Sequence, residues 1–442
     1  MKIQLSDHFT YKRLLKFTLF SIIMMVVSSI YGIVDGLFVS NFIGTTAFSA
    51  INFIWPVIMI LATIGFMLGT GGSALVSKTL GEGRKEKANQ LFSMFIASSI
   101  ISGIVLGILG IIFIKPLAAL MGAEGSMLTE CVKYARVLLI SLPFYMLQLE
   151  FQSFFVTAEK PHLGLFVTVI SGVTNMVLDA LFIAVFNWGV IGAAIATALS
   201  QVSGSVVALI YFALSKTSLL KLVKFRFDFK SLGKACVNGS SELMSNVSMS
   251  LVSILYNIQL LNMIGENGVS AYGVLMYVCM IFLSIFIGFS IGVAPIVGYN
   301  HGAKNHDELK NVYKKSMVII LLSSVAMFII SEIFARPLSL IFVSYDQELL
   351  ELTCRAFYIY SFSYLFAGIA IFASSFFTAL NNGLISAIIS FLRTLIFQIA
   401  AVLILPIFLD VDGIWLSISI AEFLAAIVCV VFMITKRKKY HY

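Results

Sequence analysis

Twelve long apolar stretches follow one another along this chain, at about 15–41, 48–76, 91–114, 131–156, 162–186, 189–214, 236–262, 269–297, 314–335, 353–378, 384–408 and 413–434. A helix needs about 20 mostly apolar residues to cross a bilayer, and every stretch meets that length. The runs are continuous rather than alternating, which excludes an outer-membrane barrel. The first follows a basic segment, as a signal peptide does, but it is too long and carries Asp35, so it is expected to remain as a span. Composition agrees: 60% hydrophobic and only 11% charged, against about 25% charged in soluble domains. A soluble enzyme, a nucleic-acid binder and a disordered scaffold are set aside. Five cysteines without paired spacing suggest neither a zinc site nor a disulfide framework. The five histidines fall in polar loops or termini, so nothing points to a membrane-embedded enzyme.

The net charge of +8 belongs to the loops rather than to a nucleic-acid surface. With both termini inside, 23 of the 29 Lys and Arg fall on the inner side, five outside, and Arg393 within a span. Cytoplasmic loops carry the Lys/Arg excess, so both termini are expected in the cytoplasm.

Sliding the chain on itself by 221 residues aligns its punctuation. Gly44 meets Gly265, Gly71 meets Gly292 and Gly81 meets Gly302. Lys115-Pro116-Leu117 meets Arg336-Pro337-Leu338, Thr157-Ala158 meets Thr378-Ala379, and Gly192 meets Gly413. Glycines and prolines fix backbone geometry, so their recurrence at element boundaries marks a structural repeat. Six helices per half is an even number, which makes the repeats parallel. The expected fold is therefore all-α, with an N-terminal six-helix lobe (1–214), an inter-lobe linker (215–235), a C-terminal lobe (236–442) and a central cleft. In the linker, Phe225, Phe227 and Phe229 alternate with charged residues, which suits a segment lying along the membrane surface. Two bundles around a cleft is an alternating-access layout. No phosphate-binding loop is present, so an ion gradient, H+ or Na+, is the expected energy source, with no cofactor.

Ionisable residues inside spans are costly and mark function by default. Asp35 and Asp179 lie at similar depths in helices 1 and 5, about six and seven residues from the outer face. Asn175 precedes Asp179 by one turn, Tyr31 precedes Asp35 by one turn, and Thr197 enters from the same side on helix 6. These groups offer an oxygen-rich pocket suited to Na+, or a carboxylate pair that repels itself and takes up a proton. At the 221 offset Asp35, Asn175, Asp179 and Thr197 become Tyr256, Ile396, Ala400 and Ile418, so the set exists once only. Glu150, flanked by Gln148 and Gln152, and Glu242 and Glu422 are further candidates for the cleft. Glu242 is within reach of Lys234 or Arg226, Glu422 has no evident partner, and Glu332 is expected to pair with Arg336. Arg393 is expected to snorkel to the interface, and Trp188 and Trp415 to act as interfacial anchors.

The segment from Tyr31-Gly32-Ile33-Val34-Asp35-Gly36 to Gly44 resembles the first-helix motif of the multidrug and toxic compound extrusion (MATE) family. Leu80-Gly81 to Ala88 is similar to that family's first cytoplasmic loop, Asn175 to Asp179 to its helix 5 motif, and Gly189 to Thr197 to its helix 6 opening. Gly292 to Gly302 resembles its helix 8 end. The likeness covers essentially the whole chain and is nearest the MepA-like bacterial branch. It implies a monomeric antiporter of the bacterial cytoplasmic membrane, in contact with lipids and not nucleic acid, exporting organic cations in exchange for H+ or Na+. It also implies that Asp35, Asn175, Asp179 and Thr197, beside Tyr31, form the cation or proton site. The family's helix 1 proline is replaced here by Phe20, its helix 7 counterpart by Ser241, and helix 10 lacks the acid some relatives carry. A related flippase or exporter of a lipid-linked oligosaccharide is the alternative, and it would need a strongly cationic cavity.

Overall fold

In hydrocarbon every backbone N–H and C=O must be paired within its own segment, so continuous apolar runs become helices. A computed structural model describes residues 3–43, 45–344 and 346–442; Lys2 and Gly44, used above for topology and repeat, lie outside them. The first lobe comprises α1 (Tyr11–Phe42), α2 (Thr45–Gly81), α3 (Lys85–Leu120), α4 (Gly125–Thr157), α5 (Pro161–Asp179, then a π-helical turn Ala180–Val185) and α6 (Gly189–Leu214). The second comprises α7 (Phe229–Met263), α8 (Glu266–Gly302), α9 (His306–Val343) and α10 (Gln347–Tyr360, a 3-10 turn, then Tyr364–Ala379). It ends with α11, which starts at Gly383–Phe391 and passes through a π turn Leu392–Ile396, and α12 (411–440). The last two are joined at Asp410, whose φ of 48° and ψ of −133° break the helix.

Ten described segments are long and apolar enough to cross a membrane by themselves. One of them, 383–440, carries both α11 and α12. The remaining helix, α7, falls short because it is rich in Ser and Asn. Those groups are used between elements: Asn238 Nδ2 donates to Asn381 Oδ1 at 2.8 Å, and Asn238 Oδ1 accepts from the Gly383 N–H at 3.1 Å.

The repeat is visible as reciprocal packing. Helix α1 packs on α8 as α2 packs on α7, and α1 on α5 as α7 on α11. In each lobe the fourth helix is central, touching the second, third and sixth. Where α2 meets α8, a side chain at Gly81 would run into the carbonyl of Tyr299, and one at Gly302 into that of Lys78. Residues 78 and 299, like 81 and 302, are equivalents at the 221 offset. A second reciprocal pair lies deeper: Gly71 faces Ala235 and Gly239, and Gly292 faces Thr18, the equivalent of Gly239. All of these crossings lie in the half of the molecule that carries the termini. Toward the other face the lobes separate into two core clusters that share no residue, one around Ile54, Leu138 and Ile183 and one around Leu275, Phe357 and Trp415.

Residues before α1 tie the lobes together at the closed end. Leu5 and Phe9 are fully buried in the core cluster of α8, α9 and α10; burying each is worth about 1.5–3 kcal/mol. The Leu5 N–H donates to Glu159 of the first lobe at 2.9 Å, and the Phe9 N–H to Glu308 of the second at 2.9 Å. His8 Nδ1 lies 2.6 Å from the other Glu308 oxygen.

Two expectations are corrected. Helix α7 starts at Phe229, so the extended link is 215–228; it is held to α3 by Lys221 N–H to Asn89 Oδ1 (3.0 Å) and Val223 N–H to Ser93 Oγ (2.8 Å). Trp188 is half exposed and stacks on Phe182, as an interfacial residue does, but Trp415 is 1% exposed in the core of the second lobe. The kink at Asp410 starts α12 early enough to draw Trp415 inward.

Candidate functional site

Packing of α1 on α5 depends on Gly172, where a Cβ would stand 3.0 Å from the Tyr31 ring. With Tyr31 seated there, Asp35 one turn on lies beside Asp179 and Asn175. Ser28 Oγ donates to the Tyr31 hydroxyl at 3.3 Å. Helix α5 ends at Asp179 and continues as a π turn, Ala180–Val185. Such wide turns recur at functional sites because the inserted residue redirects the side chains around it. Asp179 is fully buried, Asn175 2% exposed and Thr197 9% exposed.

The polar atoms of this cluster are not satisfied by the protein. Both oxygens of Asp179, Oδ1 of Asp35, Nδ2 of Asn175 and Oγ1 of Thr197 are buried without a hydrogen-bond partner. Buried polar groups are nearly always paired, so five orphaned atoms at one place describe a site built to receive something. The donors are carboxylates, an amide and hydroxyls, a set that fits a hard cation or a proton. Among the described residues there is no group of three or more His, Cys, Asp or Glu able to hold a metal ion, and nothing suits a thiophilic metal.

The sequence reading missed Tyr134. It is 1% exposed on α4, with Thr197 beside its hydroxyl and Asp35 and Asp179 within electrostatic reach of it. Helix α4 begins at Gly125, several residues before the apolar run starts at 131. Tyr134 therefore sits more than two turns inside a helix and not at its mouth. Lys133 and Arg136 on either side hid that depth.

A polar track leads from the pair toward the closed end. Ser200 Oγ donates to the Thr197 carbonyl (2.8 Å), Ser171 Oγ to the Ser200 carbonyl (2.8 Å), and Gln148 Nε2 to Ser171 Oγ (2.8 Å). Gln148 thus faces α5 and α6. Glu150 points the other way, fully buried between α2 and α3 beside Ser99, with both oxygens unpartnered. Gly69 lets α2 approach: a Cβ there would lie 2.8 Å from the Glu150 Cα. Gln152 is buried as well, its Oε1 unpartnered.

In the second lobe the pairings differ from those expected. Arg393 does not snorkel; its Nε lies 3.0 and 2.8 Å from the two oxygens of Glu422, which is thereby partnered. Arg393 sits in the π turn of α11, which turns its long side chain inward. It is also the charge facing Glu242, in place of Lys234 or Arg226. Glu332 receives the Ser361 hydroxyl instead of pairing with Arg336. Each lobe therefore has a π turn in its fifth helix beside or at a charged residue, with Asp35 and Asp179 left open in one lobe and Glu422 paired in the other.

A family model described as MatE matches residues 21–181 and 243–404. The chain is similar to the multidrug export protein MepA of Staphylococcus aureus, 26% identical over 422 residues that cover 94% of this chain and 92% of that protein. In fold it is similar to a crystal structure of MATE in the straight conformation, with a TM-score of 0.92 at 23% identity over 98% and 97% of the two chains. A MOP superfamily transporter from Pyrococcus furiosus, described by its pocket of reverse polarity, gives a TM-score of 0.91 at 23% identity over 98% of each chain. The matched segments fall on the two six-helix lobes, one in each, and this polytopic membrane protein belongs to the MatE family.

Proposed function

We propose that the chain is a cation-coupled antiporter that exports organic cations, multidrug substrates among them, across the bacterial cytoplasmic membrane. The observation that carries this reading is the juxtaposition of Asp35 and Asp179, with orphaned oxygens, on the side where the lobes part. Two adjacent buried carboxylates repel when both are charged, and a proton or Na+ between them relieves both repulsion and desolvation. In this reading Asn175 and Thr197 supply neutral ligands, and Tyr31 and Tyr134 hold the carboxylates in place. The coupling ion and the cargo then compete for the same negative potential in the cleft. Charge release on ion binding repacks α1 against α5 and lowers affinity for the cargo. Such coupling requires each ligand to bind the two states differently.

The termini lie at the closed end with most basic loops, and a cytoplasmic location for them makes this the outward-open state. The lipid-linked oligosaccharide reading is disfavoured by charge. Arg393, buried within the second lobe, is already paired with Glu422, so it is not free to hold a pyrophosphate in the central cleft.

The test is efflux of a fluorescent cationic dye from energised vesicles, native protein against Asp35→Asn, with H+ and Na+ gradients imposed separately. Gradient-driven efflux that disappears in the variant supports the reading, and the effective gradient names the ion. Efflux unchanged by Asp35→Asn, or efflux independent of any gradient, refutes it.

A further inference from the structure

At the closed end a cavity of about 570 Å³ opens between the α2–α3 loop of one lobe and the α8–α9 loop of the other. It is lined by Lys78, Glu82, Arg84, His301, Lys304 and His306, around Gly302. Arg84 already holds Glu82 as an ion pair. Lys78 and Lys304 have no acidic partner among the described residues, and His301 lies beside Lys78, His306 and Glu82 with its Nδ1 buried and unpartnered. The cavity thus carries a surplus of positive charge, from Lys78 on one wall and Lys304 on the other.

A bias of Lys and Arg toward one face is general in membrane proteins, but it does not build a cavity or choose its backbone. Here the two loops are repeat equivalents with the same hydrogen bonds: Gly83 N–H to Leu80 O and Arg84 N–H to Thr79 O in one, Lys304 N–H to His301 O and Asn305 N–H to Asn300 O in the other. Both need a left-handed residue at the equivalent position. The first loop uses Gly83 (φ 78°), while the second places Lys304 there at φ 55°. A lysine in that conformation is disfavoured relative to glycine, and what it adds is an ammonium at the rim. Lys78 projects from the other wall, its own carbonyl being the one Gly302 packs against.

We propose that this cavity binds a phosphate group, carried either by an anionic lipid headgroup or by a soluble phosphate, and that the bound anion clamps the two lobes together at the closed end. One wall belongs to each lobe, so the anion is held only while α2 and α8 remain crossed. Its binding therefore favours the state in which this face is shut.

The test uses the full chain purified in detergent and native mass spectrometry, with two probes, a short-chain phosphatidylglycerol against phosphatidylcholine, and inorganic phosphate. The variants are Lys304→Gly, Lys78→Gln and, as a control for general surface charge, Lys438→Gln. Lys304→Gly installs the residue its equivalent position already uses, so folding is preserved while the charge is removed. Each of the two cavity substitutions is expected to weaken binding about fivefold, the worth of one lysine near a charged surface, with Lys438→Gln unchanged. Loss for phosphatidylglycerol alone assigns a lipid headgroup; loss for inorganic phosphate as well assigns a soluble ligand. The proposal is overturned if neither probe binds the native protein, if the cavity variants bind as well as native, or if Lys438→Gln weakens binding equally.

Discussion

Arg393 and Glu422 form an ion pair inside the second lobe, Arg393 reaching both carboxylate oxygens while its side chain is 14% and that of Glu422 5% exposed. Breaking a buried pair from one side strands the other charge, at a cost of about 3–5 kcal/mol. Arg393→Met is expected to destabilise by that order, and more than Glu422→Gln, because it also leaves Glu242 without its facing cation. The double variant Arg393→Met/Glu422→Leu should regain most of the loss. Thermal unfolding of the three variants in detergent decides it; single variants as stable as the native protein would show that the pair is solvated.

Asp35 and Asp179 act as one unit if they share a cation or proton. Asp35→Asn and Asp179→Asn should each lower gradient-driven efflux at least about tenfold, about 1.4 kcal/mol. The double variant should be no worse than either single, since groups that act together are not additive. Initial efflux rates under a fixed gradient measure this, and multiplicative losses would argue for two independent sites.

Tyr134→Phe keeps the ring in its buried seat and removes only the hydroxyl. One hydrogen bond of about 0.5–1.5 kcal/mol corresponds to roughly a two- to thirteenfold change in the concentration of coupling ion needed for half-maximal efflux. An unaltered ion dependence would make Tyr134 a packing residue only.

Gly81→Leu and Gly302→Leu place a side chain against the carbonyls of Tyr299 and Lys78 respectively. Overpacking of this kind costs about 1–3 kcal/mol, and the cost falls on the closed state alone. Both variants should speed maleimide labelling of a cysteine placed at Ser77, which packs near Gly298 at the same crossing, and to similar extents because the two sites are repeat equivalents. Labelling at the native rate would mean that the helices do not part there.

The fold was legible because apolar length and the spacing of glycine and proline are local signals. Pro116 and Pro337, like Gly81 and Gly302, occupy the same places in the two lobes that the 221-residue offset gives them. That Asp35, Asn175, Asp179 and Thr197 come together was legible for a related reason: depth along a helix and one-turn spacing survive folding unchanged. What the sequence hid was direction around the helix axis. The π turn of α11 aims Arg393 inward, and the break at Asp410 shifts Trp415 into the core. The π turn carries no proline, and the break at Asp410, although Pro406 precedes it by one turn, does not by itself say which way Trp415 points. Tyr134 was hidden for want of a helix boundary, because charged residues at the head of α4 read as loop.

The segment before α1 has a consequence for how the protein is made. Phe9 precedes the glutamate that holds it by 299 residues, so its seat does not exist until α9 has been synthesised. Until then Leu5 and Phe9 are apolar side chains with no core to enter, and α1 crosses the membrane with that anchor unset. Its docking is a late event in assembly, one that reports the arrival of the second lobe to the first helix of the chain.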